Sequence, residues 1–206
     1  GPMIFLAMLL VTAAAAPADP CSQVGTFLDD RGEASALPVV VSLEGRELDW
    51  GDLKPRFEVA SQRTLFQRGD LRIEAIQGYD QLAVVVGRRG TGPWCATASW
   101  YLYFGGKGLD GRRLQAVSAA GGSLVLVDTL GTYSSPPGAS ERHVELLRVD
   151  EDGAIRVHRR LDEHLGEGDQ VDLHETADGA PRLLVRRVGP VDVLALDDGL
   201  AVGTRR

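Results

Sequence analysis

Residues 94–104 read Trp-Cys-Ala-Thr-Ala-Ser-Trp-Tyr-Leu-Tyr-Phe. Successive side chains of a β-strand point to opposite faces. One face of this stretch carries Trp94, Ala96, Ala98, Trp100, Leu102 and Phe104. The other carries Cys95, Thr97, Ser99, Tyr101 and Tyr103. The first face is apolar throughout and holds two of the three tryptophans. The pattern predicts a central strand with one face on a core. Its polar face is a candidate binding surface if Tyr101 and Tyr103 meet solvent, and a second core face if another layer covers them.

Before this stretch, residues 37–43, 57–60, 64–67, 71–76 and 82–87 read as strands, with Pro38 suited to a first strand position. Residues 48–57 carry Asp49, Gly51, Asp52 and Pro55 and predict a turn with one helical turn. Residues 19–36 are polar and predict an N-terminal arm. After it, the pattern becomes a train of hairpins. Asp-Gly, a strong hairpin signal, occurs at 110–111, 152–153, 178–179 and 198–199. Residues 143–149 and 154–161 form the clearest pair. Placing Val149 opposite Ala154 sets Glu145 opposite His158 and puts Val144, Leu146, Ile155 and Val157 on one face. Residues 123–130 form another alternating strand. Residues 171–175 with 183–188, and 191–196 with 200–202, complete the series.

Roughly eleven to thirteen strands and no long amphipathic helix give an all-β fold. The expected architecture is an antiparallel β-sandwich or curved two-sheet stack built from hairpins. The alternative is a small propeller-like meander or barrel. The Asp-Gly spacings of 42, 26 and 20 do not hold the regular period of propeller blades. Residues 19–206 read as a single β domain, with 132–140 as a surface loop.

The chain of 206 residues is 44% hydrophobic, enough for a packed core. A net charge of −7 argues against nucleic-acid binding, which needs a dense cationic face. Arginine pairs stand at 88–89, 112–113, 159–160, 186–187 and 205–206. Neighbours in a strand face opposite ways, so the pairs belong at strand ends or edges, where charge discourages edge-to-edge association.

Gly1-Pro2 resembles the residue of a removed tag. Met3 to Val11 is an uninterrupted apolar run, followed by Ala13–Ala16 and an Ala16-Pro17-Ala18 exit. Residues 1–18 therefore read as a tag scar plus a secretory signal segment, although no basic residue precedes the run. The run is shorter than the ~20 residues a spanning helix needs, so no stable membrane span is expected in the mature chain. Asp19-Pro20 before Cys21 is not a lipid-attachment sequence. The expected location is periplasmic or secreted. In an oxidising compartment Cys21 and Cys95 are expected to pair, closing a long loop worth about 4 kcal/mol in the entropic account. No Cys-x-x-Cys redox motif is present.

Residues 106–111, Gly-Lys-Gly-Leu-Asp-Gly, match a dinucleotide-binding fingerprint on paper. A helix over 112–120 and Asp128 on the next strand would complete it. That helix has under three turns and few apolar residues, so the reading favours a glycine-rich loop, with no cofactor. His158, His164 and His174 lie among acids, but their spacing fits no standard ligand pattern. Arg156 and Arg160 also share the His158 face. The three are weak metal candidates beside a solvated acidic loop. No Gly-x-Ser-x-Gly occurs; Ser134, Ser135 and Ser140 merely precede His143. No catalytic residue is assigned. The expectation is a non-enzymatic binding module for a protein, glycan or envelope partner, with Tyr101, Tyr103, Tyr133 and Trp94 as its binding residues. The alternative is an exported hydrolase, which would show convergent histidine and carboxylate groups in a concave site.

Overall fold

The computed structural model describes residues 19, 22, 25–29, 31–37, 47–48, 57–105, 108–133, 136, 138–161, 163, 165–166, 168–187 and 191–195. They form β1 (Gly25–Leu28), β2 (Ala34–Leu37), β3 (Glu47–Leu48), β4 (Phe57–Glu58), β5 (Ser61–Arg68), β6 (Leu71–Gln77), β7 (Gln81–Arg89) and β8 (Trp94–Tyr103). The chain continues through β9 (Gly108–Ala119), β10 (Gly122–Thr132), β11 (Ser140–Asp150), β12 (Ile155–Arg160), β13 (Gln170–Glu175), β14 (Pro181–Arg186) and β15 (Val191–Ala195). No α-helix occurs among the described residues.

The first large sheet runs β2-β1-β8-β7-β6-β5 and the second β12-β11-β10-β9. They stack through Ile73, Val84, Val86, Ala98, Trp100 and Leu102 on one side and Val125, Val127, Leu147 and Val149 on the other. The two-sheet stack expected from the hairpins is therefore present. A third sheet, β13-β14-β15, covers the far face of the second. There Leu124, Leu126, Val144 and Leu146 meet Val171, Leu173, Leu183 and Val185. The β9 strand stands at the shared edge. Arg63 of β5 donates to Leu114 O at 2.9 Å, and Leu173 N of β13 donates to Gln115 Oε1 at 2.9 Å.

The 94–104 strand is central, as its pattern predicts, but its two faces do not run through unbroken. Val86 pairs with Ala98 while Gly87 pairs with Ala96, so Thr97 is an extra, bulged residue. A bulge reverses the alternation of every side chain beyond it. Ala98, Trp100, Leu102 and Phe104 face the second sheet. Ala96 and Trp94 go to the opposite face, with Phe27, Ile76, Val85 and Tyr101. The bulged Thr97 crosses to the second sheet instead, where its hydroxyl donates to Gly153 O at 2.7 Å.

Three further expectations are corrected. The segment read as a polar arm supplies β1, paired in parallel with β8, and β2, paired antiparallel with β1. Asp110-Gly111 is not a turn: it lies inside β9, where a second bulge falls at Arg112. The residues after it continue as strand to Ala119, so there is no helix and no dinucleotide-binding unit. In the β11–β12 hairpin, Val149 pairs with Ile155 rather than Ala154. The turn residue Gly153 has φ of 82°, the left-handed conformation that closes three-residue hairpin loops. A bulge at Arg156 then sends Ile155 to the first interface and leaves Val157 at the second. Of the helical turn expected in 48–57 only the two end residues are described, Leu48 in β3 and Phe57 in β4; of the strand expected at 37–43 only Leu37 is described, as the end of β2, and the strand at 200–202 lies outside the described residues.

Four of the arginine pairs fall at strand ends or edges, as expected, and the pair at 205–206 lies outside the described residues. Arg89 ends β7, Arg112 and Arg113 lie on the edge strand β9, Arg159 and Arg160 end the edge strand β12, and Arg186 ends β14.

Candidate functional site

The residue types that carry chemistry meet in two places: a largely buried polar node between the two large sheets, and the surface at one end of the stack. The node grows from β11. His143 and Glu145 alternate with Val144 and Leu146, so they point into the first interface while the valine and leucine point into the second. Glu145 is 0% exposed. His158 Nε2 on β12 lies 3.5 Å from Glu145 Oε1. The two residues are diagonal rather than directly paired, because Glu145 pairs with Arg160 and Leu147 with His158. The register differs by two residues from the expected one, and a shift of two keeps both on the same face.

Around the pair, the His158 ring stands 6.1 Å from Trp100, and the His143 ring meets Phe104 edge-on at 4.9 Å. The β1–β2 turn closes over the top: a Cβ on Gly32 would sit 3.3 Å from His158 Nδ1. Among the described residues, both Glu145 oxygens, His158 Nε2 and Trp100 Nε1 find no hydrogen-bond partner. Burial pushes the Glu145 carboxyl above its ordinary value of 4.5, outweighing the opposing pull of His158, His143 and Arg160. A proton held on Glu145 relieves most of the cost of burying this group.

That direction fixes a stability signature. The folded chain holds the Glu145 proton more tightly than the unfolded chain, so the contribution is lost as pH rises through the raised value. Glu145→Gln, which keeps the shape without the ionisation, should be more stable than the parent by about 1–3 kcal/mol at pH 8. The advantage should shrink as pH falls toward 4.5. Urea denaturation of both proteins across pH measures it; a glutamine variant less stable than the parent at alkaline pH would contradict the account.

Chemically the node can hold a proton, but no substrate reaches a group with no exposure. The surface is different. β6, β8, β10 and β12 end, and β7, β9, β11 and β13 begin, at one end of the stack, which gathers there the described residues that connect them. Phe104 N donates to Asp80 O at 2.9 Å and Leu109 N to Tyr79 O at 3.0 Å, tying the first two of these connections together. Tyr79 is 72% exposed and Tyr103 49% exposed.

The expected binding residues therefore separate. Tyr103 is on this surface. Tyr133 is beside it, half-buried, its hydroxyl donating to Glu141 Oε2 at 2.6 Å. Glu141 Oε1 in turn lies 2.9 Å from His143 Nε2, so the rim connects to the node. Tyr101 is buried against Phe27, with its hydroxyl accepting from Gln81 Nε2 at 2.8 Å. Trp94 is at the opposite end, with the guanidinium groups of Arg72 and Arg89 at 5.7 and 5.0 Å from its ring. Tyr79 was not singled out from the sequence. Its signal is the Gly78-Tyr79-Asp80 turn between two apolar strands, which leaves an aromatic nowhere to go but outward.

His158 is half-buried in the node, His174 is exposed on β13, and His164 lies outside the described residues. The first two belong to different sheets. Among the described residues no three histidine, cysteine or acidic side chains gather as a metal site. Ser134 and Ser135 lie outside the described residues, as do Gly106, Lys107 and Cys21. No described cysteine is a free thiol, and Cys95 is buried. Among the described residues no helix is long and apolar enough to cross a membrane. No protein-family model, no curated protein and no solved structure matches the chain.

Proposed function

We propose that this chain is an exported, non-enzymatic binding module, periplasmic or secreted, that contacts a protein, glycan or other envelope component through its loop end. The observation that carries the reading is the exposure of Tyr79, in the β6–β7 turn, and Tyr103, at the end of β8, where backbone hydrogen bonds hold the two segments together. Tyrosine gives a large, rigid contact area with a polar tip at low entropic cost, which suits a recognition surface. A hydrolase would need an open site. The carboxylate that faces His158, Glu145, has no exposed surface, so it presents no open site to a substrate.

Immobilised protein should retain a component of envelope or secreted material, and Tyr79→Ser with Tyr103→Ser should reduce that retention at least tenfold, the weight of about 1.4 kcal/mol. Retention of nothing, together with turnover in a hydrolase panel, would reverse the assignment.

Export implies the Cys21–Cys95 bridge. The parallel pairing of Thr26 with Ala98 supports it, because it sets a segment five residues after Cys21 alongside β8, which carries Cys95 as its second residue. Intact mass under non-reducing conditions should lie two hydrogens below the reduced value; alkylation of two thiols in the unreduced, denatured protein would rule the bridge out.

A further inference from the structure

We propose that the cleft between β9, β10 and β13 is a subsite for one or two sugar rings of a neutral glycan; this rests on the binding reading above and names its ligand class. The cleft has a volume of about 350 Å³ and is lined by Asp110, Arg112, Arg113, Asp128, Gln170 and Val171. It opens at the same end as the exposed tyrosines, since Asp110 is near the start of β9, Asp128 near the end of β10 and Gln170 at the start of β13.

The bulge in β9 builds it. Asp128 pairs with Arg113 and Thr129 with Gly111, so Arg112 is the extra residue and leaves the regular alternation. Bulges re-aim side chains in this way and are enriched beside binding sites. Part of the lining is already satisfied. Asp128 takes two hydrogen bonds from Arg142, at 3.0 and 2.9 Å, and Arg113 pairs with Asp172 at 2.9 Å. Among the described residues, Asp110 and Arg112 have no hydrogen-bond or ion-pair partner. What remains for a ligand is one carboxylate, one guanidinium fork and the Gln170 amide.

That set selects by chemistry. A polyanion meets Asp110, and a cation meets Arg112. Neighbouring hydroxyls on a sugar donate to the carboxylate and accept from the guanidinium at once, and the amide does both. The volume is at the small end of ligand pockets, about 300–1,000 Å³, which fits one or two rings. Tyr79 flanks the strand entry: a Cβ on Gly108 would sit 3.8 Å from its hydroxyl, two residues from Asp110. Its exposed ring offers an apolar face to the rest of a chain.

The test is calorimetric titration of the full chain with maltotriose, cellotriose, mannotriose and triacetylchitotriose, with trigalacturonate and inorganic phosphate as anionic controls. At least one neutral trisaccharide should bind with Kd below about 1 mM. Arg112→Ala and Asp110→Asn should each weaken it at least tenfold. Both side chains are exposed, so an unchanged melting temperature verifies the fold. Absence of neutral-sugar binding overturns the proposal, as does sugar binding unaffected by either variant, or binding of the anions through Arg112 alone. If no sugar binds but tyrosine-dependent retention of an envelope protein persists, the subsite fails and the binding module stands. If neither is seen, both fail.

Discussion

Trp100→Ala should destabilise the protein by about 3–5 kcal/mol, the range for truncating a buried tryptophan. Trp100 is fully buried on the central strand β8 and packs between the two large sheets, with His158 against its ring. A domain of this size is stable by only about 5–15 kcal/mol, so the change removes a large share of the total. Trp94, six residues earlier on the same strand, should behave otherwise. It is half-buried on the other face, held by two arginine contacts worth about 0.5–1 kcal/mol each at exposed sites. Unbroken alternation would place both tryptophans in one core; the bulge at Thr97 separates them. Denaturant unfolding of the two alanine variants measures the difference. A loss at Trp94 equal to that at Trp100 would contradict the reversal of faces.

Arg142→Ala should cost a comparable 3–5 kcal/mol, roughly what breaking a buried ion pair costs. The Arg142 and Asp128 side chains are 7% and 4% exposed and share two hydrogen bonds. Arg142 Nη1 also donates to Gly166 O at 2.8 Å, anchoring the loop before β13. Losing the guanidinium leaves an unpaired carboxylate between the second and third sheets. Replacing both partners, Arg142→Met with Asp128→Leu, should recover most of the loss, because an apolar pair of similar volume carries no desolvation cost. A double variant as unstable as Arg142→Ala, or a single variant within about 0.5 kcal/mol of the parent, would show that the pair is not buried as described.

Strands were legible wherever alternation was clean. Residues 71–76, 82–87, 94–104 and 123–130 became β6, β7, β8 and β10 with bounds moved by few residues. The bulges at Thr97, Arg112 and Arg156 were not legible. Each inserts one residue without changing the local composition, yet decides which interface receives Trp94, Arg112 and Ile155. Asp110-Gly111 illustrates the same limit, since the dipeptide carries the turn signal but neighbouring strands keep it extended. The 19–36 segment looked polar because β1 presents few side chains to the core; Phe27 and Leu28 are buried on opposite faces of the sheet. The Glu145–His158 contact was readable from the hairpin, and it survived a register change because an even shift preserves faces. The loop-end surface was read only in part. Tyr103 and Tyr133 belong to it, Tyr101 does not, and Tyr79 escaped notice because alternation says nothing about a turn.

The proposed function puts contact at the tyrosine-bearing end of the stack and leaves the Glu145–His158 node to the fold. One comparison tests it most directly: retention of envelope material by the parent, by the Tyr79→Ser, Tyr103→Ser double variant, and by Glu145→Gln. The tyrosine variant should keep its melting temperature and lose retention, while Glu145→Gln should keep retention in full. Retention that survives loss of both tyrosines but disappears with Glu145→Gln would contradict it and place the activity in the node.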